Sequence, residues 1–256
     1  MAWGAQEYPL EIARGGVQGA QLIASSGKRS ALAGEIVHVI WPNGEFQLPP
    51  SSGVQMSISS TDITGDDAPS GDGARSIMIH YLDANLEPNT EIIVINGDTP
   101  QLTEATDIRF IQCMHLKTWG VNKVATGDIT AKYDPGSGPI TYSQITAGKN
   151  RCTSSARMVP AGKKCFVAGA VGGASSGTAA ASAVLDLVAS ELDGEQYLDD
   201  QFILFAHAGL AVQDNSEAYT FPVPIPFQAG TVIALAVTTD KNATVTGSWF
   251  GWLENT

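Results

Sequence analysis

Residues Gln55–Gly97 read QMSISSTDITGDDAPSGDGARSIMIHYLDANLEPNTEIIVING. Met56, Ile58 and Ser60 alternate with Ser57 and Ser59, and Ile77, Ile79 and Tyr81 alternate with Met78 and His80. Ile92 to Ile95 is a short apolar run that stops at Asn96-Gly97. Alternation with period two, bounded by Gly, Pro, Asn and Asp, predicts antiparallel strands. The stretch is therefore three strands joined by two polar loops, an acidic glycine-rich one at 62–73 and a shorter one at 83–89. No catalytic group sits at a strand end, so any chemistry here has to come from the loops.

The same pattern continues outward. Glu35–Trp41 predicts a strand ended by Pro42, with Asn43-Gly44 as a turn and Leu48-Pro49-Pro50 as an extended linker. Downstream, Asp107–Thr118, Val124–Tyr133 and Ile140–Ile145 give further strands, separated by Gly120 and the turn cluster at 134–139. Cys165–Val171, Gln201–His207, Val232–Thr238 and Thr244–Leu253 read as strands of a second half. Tyr219–Phe227 carries prolines at alternate positions and fits only an edge strand or an extended connector. The stretch 178–192 fits a helical stripe through Val184, Leu185, Val188 and Leu192, and equally a strand through Leu185, Leu187 and Ala189. The fold class expected is all-β: two jelly-roll-like β-sandwich domains, at 35–148 and 149–256, preceded by an extended N-terminal arm at 1–34. The arm is glycine-rich with no sustained period, and either stays loose or docks on a partner. Its anchors are Trp3, Tyr8 and Leu10.

Composition supports this class and excludes others. Only 16% of the residues are charged, and 27 glycines and 13 prolines suit short strands and many turns. A net charge of −12 argues against a nucleic-acid surface, which needs clustered Lys and Arg. The N-terminus has no basic segment followed by an apolar core, so no secretory signal is expected. The uncharged run 165–185 is too rich in Gly, Ser and Ala for a membrane span. Cys113, Cys152 and Cys165 form no CxxC pair and read as free, packed thiols in a reducing cytoplasm; a Cys152–Cys165 bridge has no support in the spacing.

Several constellations carry residue types that could support chemistry. Gly173-Ala174-Ser175-Ser176-Gly177 matches the nucleophile-elbow pattern, but the later acid and histidine of a parallel α/β sheet are missing, and His207 is the only histidine that follows. Asp62, Asp66, Asp67 and Asp72 lack EF-hand spacing, and the plain reading is a solvated acidic turn with Gly71 and Gly73 serving backbone geometry. His38, His80, His115 and His207 each sit inside a strand pattern without metal-ligand spacing. Asn242-Ala243-Thr244 is a formal glycosylation acceptor without a secretory context. Trp249, Phe250 and Trp252 form either a sugar-binding platform or core and subunit contacts. No catalytic, cofactor-binding or metal residues are assigned, and assembly contacts are expected at Trp3, Tyr8, Trp249 and Trp252.

The stretch from about 36 to 132 resembles bacteriophage virion structural proteins. The likeness rests on Ile40-Trp41-Pro42, the strand ending in Ser59-Ser60, the acidic loop, the turn Gly71-Asp72-Gly73-Ala74-Arg75, Leu82-Asp83-Ala84, the segment Glu91–Gly97 and Gly127-Asp128-Ile129-Thr130. The second half, with Val159-Pro160-Ala161-Gly162-Lys163 and the Ala229-Gly230-Thr231 turn before a buried strand, looks like the jelly rolls of phage decoration and fibre proteins. The resemblance implies a non-enzymatic virion component, a capsid decoration or cement protein or a related head or tail protein, made in a bacterial cytoplasm. It implies no cofactor and no membrane. It further implies a homo-oligomer, often a trimer, in contact with a major capsid protein or other virion proteins. A receptor- or glycan-binding fibre module is the alternative.

Overall fold

The computed structural model describes residues 8–175, 181–190, 203–212 and 216–256, with 31–37, 181–182, 203–217 and 241 described by backbone alone where they fall in strands. The described chain is all-β apart from one short helix, α1 (Tyr8–Ala13). The described residues divide into two units, unit 1 before Pro42 and from Ser155 onward, and unit 2 from Pro42 to Ser154.

Unit 2 holds two antiparallel sheets. One runs β5 (Gln101–Leu102), β2 (Ser57–Ser60), β7 (Ile129–Tyr133), β8 (Ile140–Ile145). The other runs β4 (Pro88–Val94), β3 (Ala74–Leu82), β6 (Phe110–Trp119). The three strands expected in the opening stretch are β2, β3 and β4. The alternation is realised in β3, where Ile77 and Ile79 are wholly buried while Met78 and His80 are only partly so. These isoleucines join Met56, Ile58, Ile93, Ile129 and Ile145 from both sheets in one core. Each such side chain contributes about 1.5–3 kcal/mol on burial.

Unit 1 is a seven-stranded antiparallel sheet built on a two-stranded ribbon. Its strands are β1 (Gln21–Val39), β9 (Arg157–Met158), β10 (Lys163–Ser175), β11 (Ala181–Ser190), β12 (Ile203–Val212), β13 (Ser216–Phe227) and β14 (Val232–Asn255). β1 and β14 pair along their length, from Gln21↔Leu253 to Val39↔Ala236. On the other side of β14, β11 pairs with residues 232–239 and β10 with residues 244–255. β12 and β13 lie outside β11 and β10. Leu185 and Leu187 of β11 share one core with Cys165 and Val167 of β10, so the ribbon bends to bring its two branches face to face.

Two expectations change here. The stretch 1–34 is not an arm over its described length: residues 21–34 are strand, hydrogen-bonded to β14, and the chain divides at 41/42 and 154/155 instead of at 34/35 and 148/149. Small residues there serve close approach. A Cβ on Gly27 would run into the carbonyl oxygen of Ile40 and the amide of Ser155. The ambiguous stretch 178–192 is strand over Ala181–Ser190, paired on both sides. The proline-rich segment is the edge strand β13, with Pro226 opposite Phe166 and irregular pairing around Pro222 and Pro224.

Candidate functional site

The helix α1 lies on the outer face of the β1–β14–β10 branch. Ile12 is buried beneath it, and Gly15, with φ of 76°, ends it in the left-handed conformation that closes many helices. The Tyr8 ring meets the Trp252 ring edge-on at 5.5 Å, and Trp252 stacks on Phe166 at 5.6 Å. The Lys164 ammonium sits 5.6 Å from the centre of the Phe166 ring. One carboxylate oxygen of Glu254 accepts from both Tyr8 Oη and Trp252 Nε1, each at 2.7 Å. That hydrogen bond, with burial and the negative charge of Glu254, pushes the Tyr8 phenol up to about 12.

Beside this aromatic row is an open-sided apolar hollow of about 420 Å³. Pro9, Leu22, Ala24, Ala168, Phe250 and Trp252 are among its walls. Leu22 and Phe250 in its walls remain 46% and 39% exposed, an apolar surface of the kind that marks contact sites. On the opposite edge of the same branch, β13 exposes Tyr219 and Val223 at 50% and 78%. Its alternate prolines remove N–H donors from that edge, so contact there runs through side chains and not through added strand pairing.

The four expected contact residues are dispersed. Trp3 lies outside the described residues. Tyr8 and Trp252 touch each other on the outer face. Trp249 points the other way: it is fully buried in the unit 1 core and donates its indole N–H to the Ser155 carbonyl at 2.7 Å. It has no surface to offer a partner, because residues three apart on a strand face opposite sides. The same parity breaks up the sugar-platform reading. Of the three aromatics only Phe250 keeps an open face, since Trp252 is 6% exposed between Tyr8 and Phe166.

The acidic loop is not a solvated turn. Asp66 is wholly buried and accepts from Ser60 Oγ at 2.7 Å and from the amides of Ala74, Thr126 and Gly127 at 2.7, 2.9 and 2.8 Å. Gly73 is required beside it, since a Cβ there would strike the Asp66 carboxylate. The Asp62 carboxylate accepts from the Gly65 and Thr64 amides, which hold its pKa below the usual carboxylate range. Asp62 is thus committed to its own loop and Asp66 to tying that loop to neighbouring segments, and among the described residues no group of His, Cys, Asp and Glu could hold a metal ion.

Ser175 ends β10 opposite Thr244, and the next described element is another strand where a nucleophile elbow requires a helix. The backbone of His207 pairs with Asp186 between β12 and β11. His80 and His115 stack at 5.1 Å across β3 and β6, and burial, helped by Lys117 and Arg151, lowers the His115 pKa. His38 Nδ1 lies 3.3 Å from Arg29 Nη2. No helix among the described residues is long and apolar enough to cross a membrane. The signal that could have separated Trp249 from Trp252 was strand parity alone. Nothing local could have paired Tyr8 with Glu254, 246 positions away.

No protein-family model matches the chain, and no curated protein matches it. Solved structures of infectious bursal disease virus align over 92% of it. The Gt strain is 12% identical over 72% of that chain, with a TM-score of 0.19. The T13 viral particle is 10% identical over 73%, with a TM-score of 0.21. The VP2 subviral particle is 10% identical over 76%, with a TM-score of 0.19. Scores this low establish no common fold.

Proposed function

We propose that the chain is a non-enzymatic structural component of a bacteriophage virion, a capsid decoration or cement protein or a related head or tail protein, that works as a homotrimer. The reading is supported by the resemblance of residues 36–132 to phage virion proteins and by the placement of apolar surface on unit 1. The single observation that carries it is the apolar hollow lined by Pro9, Leu22, Phe250 and Trp252, of which Leu22 and Phe250 stay exposed. Its occupant is a second copy of the chain. One branch of the unit 1 sheet ends in β1, beside the hollow, and in β13, which projects Tyr219 and Val223. Two different patches at opposite edges make a head-to-tail contact, which closes into a ring where the rotation between copies divides a full turn. The trimer then presents itself to a major capsid protein or another virion protein after synthesis in the bacterial cytoplasm. A glycan-binding module is the weaker reading, because Trp252 has no ring face free for a sugar.

Native mass spectrometry of the full chain tests this. The wild type is expected as a trimer, and Phe250→Asp and Val223→Asp are each expected as monomers. Mixing the two variants restores one intact contact and yields dimers only. A monomeric wild type at micromolar concentration would overturn the assembly reading, and trimers in both variants would overturn the contact.

A further inference from the structure

We propose that Cys113 and Cys152 are a thiol pair built to form a disulfide that fastens the last segment of unit 2 to β6. Their sulfurs lie 3.6 Å apart, and closure to a bond of about 2.0 Å needs only a small rotation of side chains. The backbone brings the two segments side by side, with Cys152 opposite Met114, the neighbour of Cys113. The Leu116 amide donates to the Asn150 carbonyl at 2.9 Å, His115 bridges to Arg151, and the Cys152 amide donates to the Met114 carbonyl at 2.8 Å. The segment 150–152 therefore runs antiparallel beside β6 before any covalent link exists. The Met114 amide also donates to Cys152 Sγ at 3.3 Å, which orients that sulfur toward its neighbour.

The three cysteines differ in access. Cys113 is half-buried, Cys152 is buried at the same cluster, and Cys165 is fully buried in the other core. Reaction with glutathione disulfide starts at Cys113. Its thiolate attacks one glutathione sulfur, forming a mixed disulfide and releasing one glutathione thiolate. The Cys152 thiolate then attacks the Cys113 sulfur and displaces the second glutathione. Two protein thiols are oxidised, glutathione disulfide is reduced to two glutathione molecules, and the two thiol protons pass to these. In a reducing cytoplasm the pair stays open, and in an oxidising medium it locks. This proposal does not depend on the virion reading.

The test incubates the full chain with glutathione disulfide, alkylates remaining thiols in denaturant, and maps peptides by mass spectrometry. The expected result is the loss of two hydrogens, one alkylated cysteine (Cys165) and a Cys113–Cys152 linked peptide. Cys165→Ser keeps the link, and Cys113→Ser or Cys152→Ser abolishes it; circular dichroism of these variants confirms that they fold. Under reducing conditions the wild type melts at a lower temperature than after oxidation, a difference absent from the Cys113→Ser variant. Three alkylated cysteines after oxidation, a stable glutathione adduct at Cys113 without closure, or linkage between chains would each overturn the proposal.

Discussion

Trp249 and Trp252 lie on one strand and on opposite faces of it: Trp249 bonds to the Ser155 carbonyl inside the unit 1 core, and Trp252 bonds to Glu254 on the outer face. The first bond joins two wholly buried residues. Trp249→Phe removes the donor and leaves the carbonyl of Ser155, itself wholly buried, without that partner. The expected loss is about 2–4 kcal/mol, from the orphaned acceptor and the missing ring volume. Trp252→Phe also gives up ring volume between Tyr8 and Phe166 but orphans no buried acceptor, since Glu254 keeps Tyr8 and solvent, so its expected cost is smaller, about 1–2 kcal/mol. Urea unfolding of the two variants separates them, and equal losses would contradict the assignment of faces.

Asp66 ties its loop to residues far along the chain, and this too is measurable. Asp66→Asn places an NH2 group where hydrogen-bond donors already converge on the carboxylate from Ser60, Ala74, Thr126 and Gly127. A loss of about 3 kcal/mol is expected, the scale for hydrogen bonds to a buried charge. If Asp66→Asn unfolds at the wild-type urea concentration, the carboxylate is not the clasp described.

How much of this could be seen in the sequence depended on how local each cause was. The prolines of β13 declare an edge strand because the missing N–H is a property of the residue itself. The strands β2 and β3 announce themselves through alternation, since one face is buried and the other is not. The stretch 178–192 stayed undecided because Leu185, Leu187, Val188 and Ala189 are all buried, and a strand paired on both sides loses its clean period. Glycine and serine in 21–30 suggested a loose arm, yet these small residues let β1 pass close to Ile40 and Ser155. The burial of Asp66 was illegible for a similar reason. Two of its donors lie sixty residues downstream, and a carboxylate in a glycine-rich loop looks solvated until they are placed.

Gly27 gives that argument a direct check. Gly27→Ala sets a methyl group against the Ile40 carbonyl and the Ser155 amide, and backbone atoms give way less easily than a flexible side chain. The expected cost is about 3 kcal/mol, at the upper end for added volume in a packed site. Gly44→Ala serves as a comparison, since no atom lies near its Cβ position and only its φ of 35° opposes the change. Thermal melts that rank Gly44→Ala as the more damaging would show that β1 does not pack as described.

Tyr142 links burial to alkaline behaviour. Its hydroxyl is buried without a hydrogen-bond partner, and burial, with a smaller contribution from Tyr133, pushes its pKa up to about 12. The folded chain thus keeps this proton where the unfolded chain, with an ordinary phenol near 10, has lost it. Between these values the unfolded state binds fewer protons, so stability is fully present below about pH 10 and falls as pH rises toward about 12. Tyr142→Phe removes that part of the slope, while Tyr8 and Tyr81, also raised, keep the rest. The variant also discards a polar atom that makes no bond, so at neutral pH it is expected to match the wild type or exceed it by up to about 1 kcal/mol. Urea midpoints at about pH 7 and about pH 10.5 decide the matter. A variant less stable than wild type at neutral pH would mean that the hydroxyl has a partner, and an unchanged alkaline slope would mean that Tyr142 does not titrate late.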